Sequence, residues 1–400
     1  MATQQIDWME MDKKYHMNTF RRVPVVFERG EGVYLYDVNG KKYLDFFAGF
    51  AVDCLGHSHP VMLKALQEQA AKLIQTSQVY YTIPQYQLAE LLIKNSCLDK
   101  IYYGSSGSEA CEGAVKLARR WGATKLNGAY EVITMLESWH GRTLAMTAAT
   151  GQPFYQDMYQ PVPTGFKNVP LNDIEALKKA TTDKTCAVMM ELVQGEGGVH
   201  PADPNYVIEV RRWCNEKNLL LIFDEVQTGI GRTGTFYCYQ QYGVEPDVMC
   251  LAKGMGGGIP ISAVLCTDRA NVFVPGNHGG TYCGNALMCA VSYAVVKYVL
   301  ENNIPEHVQT VSKHFFKNLE ELRAKYPTII TDVRGKGLLV GIGLAKDIAG
   351  NVMTNCFNEG LLVNAVKPNT IRVVPPLIIT NKEADMATEI LDKAFAKLGA

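Results

Sequence analysis

The middle of the chain alternates short, wholly apolar runs with amphipathic segments of helical period. The clearest runs are residues 132–136, 187–192 and 219–223, and an amphipathic segment at 205–217 separates the last two. A strand that is apolar on both faces is buried on both, which is typical of a parallel sheet covered by helices. The pattern therefore predicts an α/β fold whose large domain has a mostly parallel central sheet.

Short strands are predicted near the N-terminus. Residues 31–47 alternate apolar and polar side chains around Asn39-Gly40, a dipeptide that favours a hairpin turn. A helix is expected from about Pro60, with an apolar face formed by Met62, Leu66, Leu73 and Ile74.

The C-terminal part differs from the middle, since helices there mix with strand candidates at 337–344 and 371–374. This indicates a second, smaller α+β domain. We predict a large domain over residues 51–295 and a small domain over 296–400, with residues 1–50 joining the small domain.

Composition argues against several classes of protein. The 39 basic and 40 acidic residues give a net charge of −1 without a basic stripe, so no nucleic-acid partner is expected. No apolar stretch approaches the roughly 18 residues of a membrane span. The N-terminal residues lack the apolar core of a secretory signal. The 11 cysteines form no CxxC pair, which favours a reducing compartment, so a cytoplasmic protein is predicted.

An acidic residue, Asp224, directly follows the apolar run 219–223. Ligands of open α/β sheets bind beyond the carboxyl ends of strands. A carboxylate buried there stays ionised only with a charged or hydrogen-bonding partner, and the protonated pyridine nitrogen of pyridoxal phosphate is one such partner. A helix N-cap or a metal-bound carboxylate would explain the residue equally well.

A lysine, Lys253, ends the next apolar run and is followed by Gly254 and the glycines at 256–258. Burial lowers the pKa of a lysine and makes its amine a nucleophile for Schiff-base formation. A surface lysine is the simpler interpretation. A nucleotide loop is disfavoured, because neither GxGxxG after the first strand nor GxxxxGK[ST] is present.

Three further segments suggest contacts to an anionic, aromatic ligand. The segment GSSGSEA at 104–110 opens a predicted helix over 108–121, where free N–H groups would bind an anion or the serines would simply cap the helix. Trp139 and Arg142 follow the run 132–136, and they would stack on a ring and bind a carboxylate unless Trp139 is core packing. The segment 278–285 offers a second phosphate contact.

In this order, these segments resemble the class III, fold-type-I pyridoxal-phosphate aminotransferases, and most of all the acetylornithine aminotransferases. The resemblance runs from about Asn18 to the C-terminus. It is carried by YLDFFAGFAVDCLGHSHP, SSGSEA, SWHGRT, ELVQGEGGV, LLIFDEVQTGIGRTG, PDVMCLAKGMGGGIPISAV, GGTYCGNALMCAV and IRVVPPLIIT.

The resemblance implies roles for individual residues. Lys253 would be the Schiff-base lysine, and Asp224 would bind the pyridinium nitrogen. The other cofactor contacts implied are Gly107, Ser108, Trp139, Glu225, Val226, Gln227 and, across a homodimer interface, Thr281. The substrate contacts implied are the carboxylate-binding Arg142 and Arg372, with Gly280 and with Glu196, which would neutralise Arg372 when the substrate offers no second carboxylate. No metal site is implied.

The sequence departs from the usual pattern of that family at four positions. Ser105 stands where asparagine is usual, and Trp139 stands where phenylalanine or tyrosine is usual. Gly280 replaces a frequent serine, and Cys283 replaces a frequent glycine.

The reaction implied is transfer of the δ-amino group of N-acetylornithine to 2-oxoglutarate, giving N-acetylglutamate 5-semialdehyde and glutamate, as in arginine biosynthesis. Other ω-aminotransferase substrates (ornithine, succinylornithine, 4-aminobutyrate or acyl-lysine) are alternatives. An aminomutase on the same fold is a further one, since a fold does not fix a reaction. A binding protein without activity would not need the lysine, acid, aromatic and phosphate loop together.

Overall fold

The fold is described for residues 7–399 by a computed structural model. Its strands are β1 Phe27–Glu31, β2 Tyr34–Asp37, β3 Lys42–Asp45, β4 Lys100–Gly104, β5 Glu131–Met135, β6 Phe166–Val169, β7 Thr185–Met190, β8 Val193–Gln194, β9 His200–Pro201, β10 Leu220–Asp224, β11 Val248–Leu251, β12 Ser262–Cys266, β13 Ile330–Lys336, β14 Leu339–Leu344, β15 Leu361–Leu362, β16 Asn364–Lys367 and β17 Thr370–Val373. Its helices are α1 Trp8–Tyr15, α2 Ala48–Ala51, α3 Pro60–Ala70, α4 Ile83–Lys94, α5 Gly107–Lys125, α6 Leu144–Ala149, α7 Pro153–Asp157, α8 Ile174–Ala180, α9 Pro204–Lys217, α10 Ala286–Glu301, α11 Ile304–Lys325, α12 Ala349–Asn358 and α13 Asn381–Ala396. None of these helices has both the length and the apolar composition that crossing a membrane requires.

A seven-stranded sheet forms the centre, in the order β4-β12-β11-β10-β7-β5-β6. Neighbours in this sheet are parallel except where β12 runs antiparallel to β11 and to β4. The predicted α/β fold with a mostly parallel sheet is therefore confirmed. Every residue of β7 and β10 is buried, which explains why both strands are apolar apart from Thr185 at the start of β7 and Asp224 at the end of β10.

Helix α5 covers one face of this sheet, as its apolar period predicted. Ser106 caps the helix by accepting a hydrogen bond from the Glu109 N–H through its hydroxyl, at 3.3 Å. Near the other end, a Cβ atom on Gly122 would lie 1.9 Å from the carbonyl oxygen of Ala129. A glycine there lets the helix approach the chain closely, which fixes the position of the helix N-terminus at the edge of the sheet.

Two smaller, four-stranded sheets lie outside the central sheet, and the first of them joins the N-terminal and C-terminal parts of the chain. Strands β2 and β3 form the predicted hairpin, and β3 pairs in parallel with β15 from the C-terminal part. The second sheet is antiparallel, in the order β13-β14-β17-β16, and it carries Arg372 on β17. The domain boundaries at residues 50 and 295 remain predictions.

The helix expected from Pro60 is shorter than its apolar pattern suggested. It ends at Ala70, so Leu73 and Ile74 lie beyond it and are exposed. Beyond the helix, the chain pairs with a distant segment. The carbonyl of Ile74 accepts from the Leu287 N–H, and the Gln75 side chain donates to the Thr281 carbonyl.

A left-handed turn lies beside the cavity described below. All four residues of α2, Ala48–Ala51, have φ between 46° and 67°, which is costly for residues with a Cβ. Asp45 holds the turn, since its Oδ1 accepts from the N–H groups of Phe47 and Ala48. Its Oδ2 contacts His57 Nε2 at 2.8 Å. The turn brings Val52 to the cavity wall.

Candidate active site

A cavity of about 410 Å³ lies beyond the carboxyl ends of the central strands. The structure brings most of the predicted site residues to its wall. These are Gly107, Ser108, Trp139, Glu196, Asp224, Val226, Gln227 and Lys253.

Asp224 is buried in the cavity wall, with 3% of its surface exposed. Its Oδ2 accepts from His140 Nδ1 at 2.7 Å and from Cys111 Sγ at 3.3 Å, while Oδ1 accepts from the Val226 N–H at 3.0 Å. Burial by itself would lower the pKa of His140, but the hydrogen bonds and charges of Asp224 and Cys111 together outweigh burial and raise that pKa to about 10. The imidazole therefore keeps the Nδ1 proton that it donates to Asp224.

Lys253 is the second residue after the end of β11 and has a left-handed backbone conformation, with φ 42°. Such a conformation is uncommon for a residue with a side chain and marks functional turns. The Lys253 carbonyl accepts from the N–H groups of Gly256 and Gly257, which closes the turn. Burial lowers the pKa of the Lys253 amine, although Glu196 opposes the shift.

The N-terminus of α5 forms one end of the cavity. The first N–H groups of a helix have no partner within it, so those of Gly107 and Ser108 are available to an anion. A Cβ on Gly107 would lie 2.9 Å from Val226 Cγ1, so a glycine keeps this end open. The Ser108 hydroxyl accepts from the Arg142 N–H at 3.1 Å, which links the helix to the loop after β5.

A buried acid, Glu191, joins two loops of the cavity wall. Its Oε2 accepts from the Trp139 N–H at 2.9 Å, and its Oε1 accepts from the Gly195 N–H at 3.1 Å. Burial raises the pKa of Glu191 to about 7. The indole of Trp139, which lines the cavity, packs edge-on against Tyr155 with centroids 5.1 Å apart.

Arg372 lies behind the cavity wall, fully buried, and pairs with Glu196 at 2.6 Å between Nη1 and Oε1. Its other nitrogen, Nη2, donates to Asn364 Oδ1 at 2.9 Å. Burial would raise the pKa of Glu196, but the positive charges of Arg372, Lys253 and Arg142 together outweigh burial and lower that pKa. Because about a quarter of the Glu196 side chain is exposed, the acid is the accessible partner of the pair.

Three predicted residues have their side chains elsewhere. Glu225 is turned away from the cavity, because its two oxygens accept from the N–H groups of Cys238 and Tyr239, both at 2.7 Å. The Glu225 side chain therefore anchors the following loop, and its contact with a cofactor stays a prediction. Arg142 is exposed, with its guanidinium 4.8 Å from the centre of the Trp139 ring. Thr281 is exposed and does not line the cavity of its own chain.

Two of the departures from the family pattern, Gly280 and Cys283, are linked by one steric contact in the structure. A Cβ on Gly280 would lie 2.3 Å from Cys283 Sγ. That sulfur accepts from the Tyr102 hydroxyl at 3.2 Å, so it cannot move without losing this contact. A side chain at 280 would therefore displace the Cys283 thiol from its contact with Tyr102, which favours glycine at 280.

Sequence reasoning gave no role to several residues that shape the site. His140 stands in the quoted segment SWHGRT and Glu191 directly follows β7, as Asp224 ends β10, so their positions were a usable signal. Cys111 and Asn364 carried no comparable signal. Their importance depends on which side chains face them across the fold.

Comparison with known proteins identifies the class. The sequence matches the family "Aminotransferase class-III" over residues 15–395. The chain belongs to the class-III aminotransferases.

Its relatives are similar over their full lengths. The acetylornithine aminotransferase of Caldanaerobacter subterraneus subsp. tengcongensis is 46% identical over 388 residues, covering 97% of this chain and 98% of that protein. The acetylornithine aminotransferase structure from Elizabethkingia anophelis has a TM-score of 0.87 and 33% identity, with 98% of each chain covered. A Toxoplasma gondii ornithine aminotransferase structure, described with partial occupancy of PLP at its active site, has a TM-score of 0.93 and 30% identity, covering 99% of this chain and 95% of that one.

Gly280→Ser is expected to destabilise the protein by about 1 kcal/mol, because overpacking a filled site costs roughly 1–3 kcal/mol. The double variant Gly280→Ser/Cys283→Gly should recover most of that loss. Urea unfolding of the single and double variants measures the coupling. Gly279→Ser is the matched control, since a Cβ there meets no atom within 4 Å. Additive effects of the two substitutions would contradict the steric explanation.

Proposed function

We propose that the cavity binds pyridoxal 5'-phosphate. The donor set fits this group at each of its ends. The Asp224 carboxylate suits a protonated ring nitrogen, the N-terminus of α5 suits the phosphate, and Trp139 offers a ring face. Gln227 supports the assignment, since within residues 7–399 its buried Nε2 has no hydrogen-bond partner and would donate to the phenolic oxygen.

When bound, pyridoxal phosphate supplies an aldehyde carbon that captures amines and a ring that accepts electrons. Lys253 would hold that carbon and afterwards carry the proton that leaves and returns at the reacting carbon. Its lowered pKa increases the fraction of neutral, nucleophilic amine near pH 7. Asp224, fixed by His140 and Cys111, would keep the ring nitrogen protonated.

We propose that the amino donor is N-acetylornithine, reacting at its δ-amino group, and that the acceptor is 2-oxoglutarate. The carrying observation is the Arg372–Glu196 ion pair at the cavity wall. In this pair, Glu196 already neutralises Arg372, an arginine that can bind a carboxylate. Such neutralisation is required when the bound donor has no second free carboxylate near its reacting end. Arg142, at the rim, would bind the distal carboxylate of both substrates. The products, N-acetylglutamate 5-semialdehyde and glutamate, fit a place in arginine biosynthesis.

The competing candidate is ornithine δ-transamination, since ornithine aminotransferases are among the similar structures. The two candidates differ in the α-nitrogen, which is acylated in one donor and cationic in the other. The test is a panel of N-acetylornithine, N-succinylornithine, ornithine, 4-aminobutyrate and N-acetyl-lysine, each with 2-oxoglutarate. We expect the highest kcat/KM with N-acetylornithine. A higher value with ornithine would reject the assignment but leave the transaminase class intact.

A homodimer in the cytoplasm is part of the same proposal. A row of apolar side chains in one segment is exposed, namely Val79 (79%), Tyr80 (67%), Tyr81 (90%) and Ile83 (75%). Exposed apolar patches of this kind mark protein interfaces. In a dimer, the exposed Thr281 would bind the cofactor phosphate of the second subunit, so that each site needs both copies.

Glu196→Ala is expected to shift the preference between donors towards glutamate by about tenfold, equivalent to 1.4 kcal/mol. Glutamate brings a carboxylate that pairs with Arg372, whereas N-acetylornithine would leave a buried guanidinium unpaired. The measurement is kcat/KM for both half-reactions, followed by cofactor absorbance in single turnovers. Glu137→Ala is the control, because Glu137 pairs with Lys367 outside this cavity. An unchanged ratio in Glu196→Ala would refute the switch.

A further inference from the structure

The exposed segment that carries Thr281, residues 278–284, is fastened to its own chain by side chains from three other elements. Gln75 donates to the Thr281 carbonyl and Gln85 donates to the Gly284 carbonyl, both at 2.5 Å. The Tyr102 hydroxyl contacts Cys283 Sγ at 3.2 Å. The segment is thus held in a defined position although Thr281 itself is exposed.

His278 provides the fourth attachment, and it is made directly to α5. The Lys116 ammonium lies 2.9 Å from His278 Nδ1 and donates to it. The imidazole also packs on the ring of Tyr102, with centroids 4.6 Å apart, and on Phe273 at 5.8 Å. On the helix side, a Cβ on Gly113 would lie 3.2 Å from His278 Nε2, so the missing side chain makes the slot that the imidazole fills.

The charges around the imidazole favour its role as an acceptor. Burial lowers the pKa of His278, and the Lys116 ammonium lowers it further, against the opposing effects of Glu112 and Glu109. The ring is therefore neutral near pH 7, with a free lone pair on Nδ1 for Lys116.

One helix therefore holds both elements of the chain that are proposed to bind the cofactor phosphate. The N-terminus of α5 carries Gly107 and Ser108, and two turns later the same helix carries Gly113 and Lys116. We infer that His278 is a positioning residue, which fixes the segment 278–284 on α5 so that Thr281 meets the cofactor phosphate in the site of a second copy of the chain. This inference rests on the proposed cofactor and dimer.

The experiment measures the dissociation constant of pyridoxal phosphate for full-length variants, by equilibrium dialysis of the holoenzyme with absorbance detection. His278→Ala and Thr281→Ala should each weaken binding by about tenfold, which corresponds to the loss of one phosphate contact. His278→Asn should lie between wild type and His278→Ala, because its amide oxygen can accept from Lys116. Lys116→Met, which leaves the imidazole in its slot, should weaken binding in the same direction. His314→Ala, which removes a histidine paired with Asp385 far from the segment, is the control.

The double variant His278→Ala/Thr281→Ala separates positioning from general destabilisation. If His278 acts through Thr281, the double variant should bind no more weakly than Thr281→Ala alone. Additive losses would overturn the inference. A normal dissociation constant for His278→Ala beside a weakened Thr281→Ala would also overturn it, while leaving the proposed dimeric site intact. If neither single variant weakens binding, the contact of Thr281 with the phosphate fails together with the inference.

Discussion

The buried carboxylate of Asp224 is the charge on which the arrangement of the cavity depends. Removing an ionised carboxylate from water costs several kcal/mol unless hydrogen bonds and opposite charge compensate it. The compensating groups come from three places in the chain, namely Cys111 on α5, His140 after β5 and the Val226 N–H. To satisfy one charge, the sheet, the helix and two loops must meet at one point, and this point is the floor of the cavity.

The other acids near the cavity have different partners, and the partners decide what each acid can do. Glu191 and Glu225 accept hydrogen bonds from backbone N–H groups, so they hold loops together. Glu196 pairs with the guanidinium of Arg372 and keeps part of its surface exposed, and we propose that it exchanges partners when a substrate carboxylate arrives. The same residue type thus supplies a fixed anchor in two places and, in this proposal, a movable counter-charge in a third.

Much of this arrangement follows from sequence alone. Apolar runs that end in Asp224 and just before Lys253 predicted a covered parallel sheet with both residues at its ligand-binding edge. Contacts between side chains of different elements were not predictable in this way. Periodicity shows which face of an element is buried, but not which other element packs against that face. The contact of His140 with Asp224 spans 84 residues, and that of Arg372 with Glu196 spans 176. The role of Arg372 came only from resemblance to a family. The end of α3 at Ala70 was not predictable either, since the residues that follow it, Ile74 and Gln75, bond to a segment about 200 residues away.

The most direct test of the account is the activity of Asp224→Asn. The amide preserves shape but cannot stabilise a protonated ring nitrogen to the same degree, and losing one preorganised electrostatic contact costs on the order of 3 kcal/mol. We expect the variant to keep its cofactor while kcat falls about a hundredfold. Asp247→Asn, which removes a buried carboxylate paired with Arg211 and Arg269 outside the cavity, should lose stability but keep its kcat. A kcat for Asp224→Asn within about twofold of wild type, only about 0.4 kcal/mol, would contradict the account.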